Sequence, residues 1–555
     1  MNPQIGFLLN KSLEALRSSN LESAELYLKQ ALRLQSSNPH VLRLLGVIAA
    51  QRRQYSDALK YLNDSLKALP KNSLALSNLG NVFLELKDYS NALDAHDKSI
   101  KIDPKYEEAW SNKGNVLSAL KRFDEAIAHH DKALSLKPNF IEAWSNKGNV
   151  LRELKRFDEA ITHYDKALSL NPIYHEAWSN KGVSLYALKR FDEALAHYDK
   201  ALSLNPSYHE AYYNKGVCLH DLKRFDEAIT HYDKALSLKS DYHEASWNKG
   251  LSLLIQGDFE NGLPLFESRW DSEEVSESSG KRFFNEPTWL GKQSLQGKTI
   301  LLYVEQGLGD FIQFCRYVKL VADLGAKVVL EVPLPLASLM ESLEGVSQLV
   351  IKGEGLPFFD YQCPLLSLPL AFKTNIHNIP APSGYINLDN HTNKIIEWKA
   401  RLGPKLKSRV GLAWSGNPHH KNDFNRSLLL RDILPFLPNQ FEYISLQTEV
   451  REVDKLTLDS NPKILNFASH LNDFLDTAAL ISDLDLVICV DTSVAHLSGA
   501  LGRKTLVLLP SVPDWRWLLD REDSPWYPSI KLYRQVAIGD WGMVLDKVKL
   551  DLGGS

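Results

Sequence analysis

Seven glycines, Gly46, Gly80, Gly114, Gly148, Gly182, Gly216 and Gly250, recur every 34 residues, and no other feature of the 555-residue chain limits its fold as sharply. Ala58, Ala92, Ala126, Ala160, Ala194 and Ala228 keep the same interval twelve residues behind, and Pro70, Pro104, Pro138, Pro172 and Pro206 close the units. A period of this length marks one supersecondary unit, which cannot bury its apolar side alone and must stack on copies of itself. Each unit reads as two amphipathic helices. An aromatic such as Trp110, Trp144 or Trp178 stands four residues before the glycine. The small residues let the two helices cross closely, and the proline stops the second.

In period and anchor positions the units resemble the tetratricopeptide repeat. Eight of them run from about residue 5 to 276, with Ser12 replacing the first glycine, Gly262 the last alanine and Ser240 a closing proline. Atypical terminal units suit a solenoid whose ends meet solvent or another domain. Asn78, Asn112, Asn146, Asn180, Asn214 and Asn248 lie two residues before the glycines. In such a superhelix the first helix of each pair lines the concave face, so these amides form a row inside the groove. There they can bind the backbone of an extended protein or peptide partner with little regard for its side chains. The same asparagines can instead bond one repeat to the next. His129, His163, His197 and His231 also share one repeat position. Copies one repeat apart lie about 10 Å from each other across packed helices, too far to share a metal ion.

At this length one core is not enough, and several domains are expected. A net charge of -4 with 24% charged residues of both signs gives no general attraction to nucleic acid. Cys218, Cys315, Cys363 and Cys489 are far apart in apolar surroundings, as buried thiols of a reducing compartment would be. The first residues lack the pattern of a signal peptide, and no apolar run approaches the roughly 18 residues of a membrane span. The cytoplasm is the expected location. Four divisions are expected: repeats over 1–270, a linker over 271–295, and two α/β domains over 296–405 and 406–555. The polar linker carries Phe283, Phe284 and Trp289, expected to pack on the first of these α/β domains.

The second half alternates strands and helices in two sets: strands at Thr299 to Val304, Lys327 to Val332 and Gln348 to Ile351, then at Arg409 to Trp414, Phe441 to Leu446, Leu486 to Val490 and Thr505 to Leu509. A single amphipathic helix is expected from Phe311 to Leu324. Two successive β-α-β sets imply two doubly wound sheets facing each other across a cleft. The loop after the first strand, Glu305-Gln306-Gly307-Leu308-Gly309-Asp310, turns sharply off the sheet and leaves Asp310 at the start of a helix, aimed into that cleft. Asp491-Thr492-Ser493 stands between a buried strand and a helix ending at Gly502, where free N–H groups and the helix dipole converge on a phosphate. The Asp483-Leu484-Asp485 triplet precedes a buried strand instead of ending one and reads as a loop and cap.

Gly309-Asp310, a basic turn after the first strand of the second set, and Asp491-Thr492-x-x-x-His496-Leu497 resemble the bacterial ADP-heptose heptosyltransferases, glycosyltransferases of the family 9 type, over about residues 296 to 535. The version here is similar to the bacterial glycosyltransferases that carry tetratricopeptide repeats before such a domain. The overall plan resembles the O-linked N-acetylglucosamine transferase, although the donor turn reads DTSVAH here. The resemblance implies a metal-independent GT-B fold of two Rossmann-like domains that transfers sugar from a nucleotide-diphosphate donor, with no cofactor. It makes Asp310 the catalytic base. Thr492 and Ser493 would hold the diphosphate, with Asp491 before them and His496 one turn deeper. The family's Lys-x-Trp pattern is absent from the basic turn, so Lys421 and Arg426 compete to neutralise the leaving group, Arg426 being preferred for its planar fork. Gln447 and Glu449 stand where the family contacts the nucleoside. The run Asp514-Trp515-Arg516-Trp517 either walls the cleft or locks the final helix across both lobes. An enzyme modifying proteins is the leading expectation; a catalytically inactive repeat scaffold and a cell-envelope glycan glycosyltransferase are the alternatives.

Overall fold

The computed structural model describes residues 3–18, 20–272, 281–380, 384–420 and 422–553. The chain packs as two units, Met1–Cys218 and Leu219–Ser555. Sixteen α-helices occupy Pro3–Arg17 through Phe259–Phe266, two to a repeat. The glycines are the reason the pairs close. A Cβ on Gly80 or Gly114 would come 2.6 or 2.8 Å from the ring of His96 or His130, and one on Gly148 or Gly182 2.7 Å from Tyr164 or Tyr198. The ring sixteen residues on thus lies directly on the glycine. The second to eighth helix pairs turn at a left-handed residue, Arg53, Lys87, Lys121, Lys155, Lys189 and Lys223 in successive units, with Gly257 in the last. The repeated tryptophans tie the inter-repeat turn: Trp110, Trp144 and Trp178 donate their indole N–H to the carbonyls of Pro104, Pro138 and Pro172 at 2.9 to 3.0 Å. His129, His163 and His197 each pack against one of these indoles, 5.3 to 5.6 Å between centroids.

In the second unit, four parallel strands, β1 (Thr299–Tyr303), β2 (Lys327–Val332), β3 (Val346–Ile351) and β4 (Tyr361–Pro364), form a sheet in the order β3-β2-β1-β4. Six more, β5 (Arg409–Ala413), β6 (Glu442–Ser445), β7 (Ile464–Asn466), β8 (Leu486–Val490), β9 (Thr505–Leu509) and β10 (Ile530–Arg534), form a second in the order β10-β9-β8-β5-β6-β7, also parallel. β5, β8 and β9 are buried along their whole length, as strands covered on both faces must be. Both orders reverse direction beside the first strand of the set, between β1 and β4 and between β5 and β8. Open α/β sheets receive ligands at the carboxyl ends of strands at such reversals.

The repeats run into the first sheet through Arg269, in a 3₁₀ turn after the last repeat helix. Its buried guanidinium meets Glu305 at 2.8 Å, Glu267 at 2.7 Å and the Ser367 hydroxyl at 2.9 Å. Burial pushes the Glu305 carboxyl up to about 7 against the pull of that cation. Trp289 is 2% exposed, and its N–H extends the edge of β4 by donating to the Gln362 carbonyl at 2.8 Å. Phe284 packs on Tyr303 and Phe359. Phe283 departs from expectation and is 86% exposed.

The helix expected over Phe311 to Leu324 is two helices, Leu308–Phe314 and Val318–Asp323, joined by a 3₁₀ turn at Cys315–Tyr317. Arg316 breaks it. Its side chain folds inward and donates to the Gln313 carbonyl at 2.8 Å, the Trp526 carbonyl at 2.9 Å and the Tyr385 hydroxyl at 3.1 Å. Asp483 and Asp485 are spent on structure: Asp483 pairs with Arg409, and Asp485 accepts from the Arg409 N–H at 2.8 Å and from Lys405 at 2.7 Å. No described helix is long and apolar enough to cross a membrane, and no group of three or more described His, Cys, Asp or Glu side chains is placed to hold a metal. All four cysteines are free and buried.

Candidate active site

The two reversal points meet. Gly307 caps the helix Leu308–Phe314, and Asp310 sits in its first turn, one carboxylate oxygen accepting from the Gly307 N–H at 2.7 Å. Gly309 lies against the helix Ser493–Ala500 that comes after β8. A Cβ there would stand 2.8 Å from His496 Cδ2 and 3.4 Å from Ser493 Cα. Only a residue without a side chain lets the loop after β1 touch the phosphate-type turn after β8 this closely. Gly309, the residue before Asp310, therefore lies on Ser493.

On the β8 side, Thr492 is the N-cap of its helix but makes no capping bond, and its buried hydroxyl has no partner among the described residues. Ser493 opens the helix, half-buried. Burial, and then the charge of Asp514, push the Asp491 carboxyl up to about 6. His496 stacks on Trp517, 5.3 Å between centroids and 22° between planes, with its Nδ1 3.1 Å from the Tyr527 hydroxyl. Burial, reinforced by the Arg516 and Arg316 cations, holds its pKa well below the usual imidazole range, so the ring is neutral. It cannot serve there as a phosphate-neutralising cation.

Arg426 arrives from the turn after β5, at the end of the short helix Asp423–Arg426, and donates to the Asp491 carbonyl at 3.1 Å. Its buried Nε makes no hydrogen bond among the described residues and lies 3.9 Å from the Asp423 carboxylate. Gly416 gives it room: a Cβ there would lie 2.8 Å from the guanidinium. Lys421, its competitor, lies outside the described residues. Gln447 binds the loop after β5. Its Oε1 accepts from the Ser415 N–H at 3.2 Å, and its Nε2 donates to the Ser415 hydroxyl at 3.1 Å and the Glu449 carbonyl at 3.3 Å.

The residue that sequence reasoning left without a role at this centre is Arg516. Its Nη2 donates to Asp310, its Nη1 meets Asp514 at 2.7 Å, and the guanidinium lies over the rings of Phe314 and Trp515. The signal was visible only as a cation amid aromatics, Asp514-Trp515-Arg516-Trp517, after the strand β9.

In the repeats, all six groove asparagines are half-buried. Asn112 donates to the Ser77 hydroxyl of the preceding repeat at 3.2 Å, Asn180 accepts from Arg152 at 3.3 Å, and Asn248 donates to the Glu244 carbonyl at 2.9 Å. The Asn78 amide nitrogen is buried with no partner among the described residues. It lines a cavity of about 360 Å³ shared with Asn81, Gln51, Tyr55 and Leu62.

Known proteins match both halves. Residues 9–73, 145–209 and 179–243 match one tetratricopeptide repeat family model, and 73–106 and 107–140 match another. Residues 446–517 match the model of glycosyltransferase family 9 (heptosyltransferase). That segment holds Gln447, Asp491, His496 and Arg516, but neither Asp310 nor Arg426. Protein FlbA of Caulobacter vibrioides is 27% identical over 326 residues, 53% of this chain and 52% of FlbA. The chain thus spans about half the length of that curated relative. Among solved structures, a tetratricopeptide repeat protein from Parabacteroides merdae aligns at 20% identity over 45% of this chain and 100% of its own, with a TM-score of 0.38. YrrB, a tetratricopeptide repeat protein with an unusual peptide-binding site, aligns at 24% identity over 33% of this chain and 95% of its own, with a TM-score of 0.27. The matches give the chain tetratricopeptide repeats joined to a glycosyltransferase-type domain.

Proposed function

We propose that this protein moves a sugar from a nucleotide-diphosphate donor to a hydroxyl of a protein or peptide held by the repeats, and that its two sheets work as the lobes of a GT-B enzyme. The observation that carries the reading is the seat of Gly309-Asp310 on the first turn of Ser493–Ala500, which puts a carboxylate beside a helix N-terminus at the reversal points of both sheets. In this scheme Asp310 takes the proton of the acceptor hydroxyl as its oxygen bonds to the anomeric carbon. The bond from that carbon to the diphosphate oxygen breaks, and the nucleoside diphosphate leaves. Backbone N–H groups at Thr492 and Ser493, with Arg426, meet the charge that develops on it. Guanidinium groups take the part that a metal ion plays elsewhere.

The partnerless Asn78 amide and the cavity beside it support a groove that takes a peptide. Asn112 and Asn180, bonded within the repeats, serve the groove less directly. Four buried free thiols suit the cytoplasm. The test pairs a thermal-shift screen of the full chain against nucleotide sugars with transfer assays of Asp310→Asn using the donor so found. A donor at about 100 times its dissociation constant adds about 2.7 kcal/mol. Loss of the base should cut transfer by a factor on the order of 100 or more. Undiminished transfer by Asp310→Asn removes the base assignment. A screen in which no nucleotide sugar stabilises the chain favours the scaffold reading.

A further inference from the structure

We infer that Arg516 masks Asp310 in the unliganded chain and is the guanidinium that the donor's diphosphate draws away, so that arrival of the donor unmasks the base. The inference rests on the proposed glycosyl transfer. It adds a gate that neither the resemblance nor the family match assigns to this residue.

Asp310 stands in a conflict. A general base must offer an oxygen to the acceptor hydroxyl, yet Asp310 has one oxygen on the Gly307 N–H and the other on Arg516. Left in that state it offers an acceptor hydroxyl no uncommitted oxygen. Arg516 is not fixed there by Asp310 alone. It shares its charge with Asp514, its Nε is buried without a partner among the described residues, and the guanidinium rests on the faces of Phe314 and Trp515. These flat supports hold the side chain while its planar fork is free to change acceptors.

The neighbouring acceptor site is the one expected for the diphosphate. Trp517, one residue along the same 3₁₀ turn, stacks on His496 of the helix Ser493–Ala500, and Gly309, one residue before Asp310, touches Ser493. A diphosphate on that helix N-terminus brings more charge and more oxygens than one carboxylate, and guanidinium binds such groups in pairs of parallel bonds. When Arg516 turns to it, Asp310 keeps only its bond to Gly307, and its other oxygen is open to the acceptor hydroxyl as the donor is seated.

Pyrophosphate is a probe that needs no knowledge of the nucleoside or sugar. Its binding is measured by calorimetry at pH 8, above the value of about 6 to which Asp491 is pushed. In the wild-type chain pyrophosphate must compete with Asp310 for Arg516, so Asp310→Asn should tighten binding about tenfold, the scale of a hydrogen bond to a charged group. Arg516→Gln should weaken it by at least as much. In the double variant, Asp310→Asn should then have no further effect. If Asp310→Asn tightens binding equally in the Arg516→Gln background, the carboxylate merely repels the anion and the inference is overturned. It is also overturned if Asp310→Asn leaves wild-type affinity unchanged. Arg516→Met, whose apolar stem fills the space between Phe314 and Trp515, replaces Arg516→Gln if the latter does not fold. Should neither fold, Arg516→Lys, which keeps the charge but loses the planar fork, completes the cycle, and the effect of Asp310→Asn should shrink in that background. The outcomes separate from the parent reading: a flat cycle removes the mask and leaves the base, whereas persistent transfer by Asp310→Asn removes the base and leaves the cycle.

Discussion

Acid should loosen the third and fourth repeats first, through two histidines that the fold forbids to charge. His96 and His130 are fully buried beneath Gly80 and Gly114. Neither ring nitrogen of His96 has a partner among the described residues, and His130 has only the Ser111 hydroxyl, 3.3 Å from its Nδ1. Burial lowers both pKa values to about 4. Above pH 6.5 the ring is neutral in folded and unfolded chains alike, and nothing is lost. As pH falls below 6.5 the unfolded chain takes a proton that the folded chain refuses until about pH 4, so stability drains across that window. Between pH 7 and pH 5 the loss is about 2 kcal/mol per histidine.

The comparison residue is supplied by the protein itself. Tyr164, Tyr198 and Tyr232 hold the same place in later repeats, and Tyr164 donates to Asn149 at 2.8 Å. Asn81 and Asn115 stand at the matching positions beside His96 and His130. His96→Tyr and His130→Tyr should therefore fit. Hydrogen exchange of residues 73–136, corrected for intrinsic rates, is followed at pH 7 and pH 5 in wild type and in each variant. Each substitution should recover about 2 kcal/mol of the opening free energy lost on acidification. The readout is the change with pH, so a tyrosine that packs less well at both pH values leaves the test intact. Equal pH losses in wild type and variants would refute the reasoning, because the rings would then be protonated in the folded repeats.

Two further outcomes are expected. Arg426→Ala should weaken pyrophosphate binding by roughly 1.5 to 3 kcal/mol; if calorimetry shows that effect for Lys421→Ala and not for Arg426→Ala, the preferred cation is wrong. Changing Asn78, Asn146 and Asn214 together to Ala should cost about 0.5 to 1.5 kcal/mol of acceptor binding per amide, so transfer to protein should collapse while donor hydrolysis by water persists. Transfer that survives undiminished would place the acceptor outside the groove.

The parts legible in the sequence were those written in local period or in buried apolar runs. A glycine every 34 residues announces a helix pair because the residue sixteen positions on must lie against it, and β5, β8 and β9 announce themselves because strands covered on both faces are apolar throughout. β4 and β7 escaped notice, at four and three residues, because so short a run has no period to read. The Arg316 turn escaped for a different reason. Its inward side chain is satisfied by the Trp526 carbonyl and the Tyr385 hydroxyl, partners set 210 and 69 residues away.

The same distance explains why the candidate site was half read. Asp310 and the Asp491-Thr492-Ser493 turn each carry a local mark, a carboxylate after paired glycines and a run of capping residues before a helix. Arg516 carries none, since an arginine beside tryptophans suits a cleft wall and a packed core equally, and its partner Asp310 is 206 residues earlier. What could have raised it is the glycine logic itself. Gly309 is needed only if something presses on the loop after β1, and the pressing element proves to be the helix after β8. Once those two loops touch, any charged residue on the next loop of the second sheet, the one after β9, must lie near Asp310, and Asp514 and Arg516 are there. A half-buried carboxylate in such a place draws a cation, and Arg516 takes the oxygen that the Gly307 N–H leaves free.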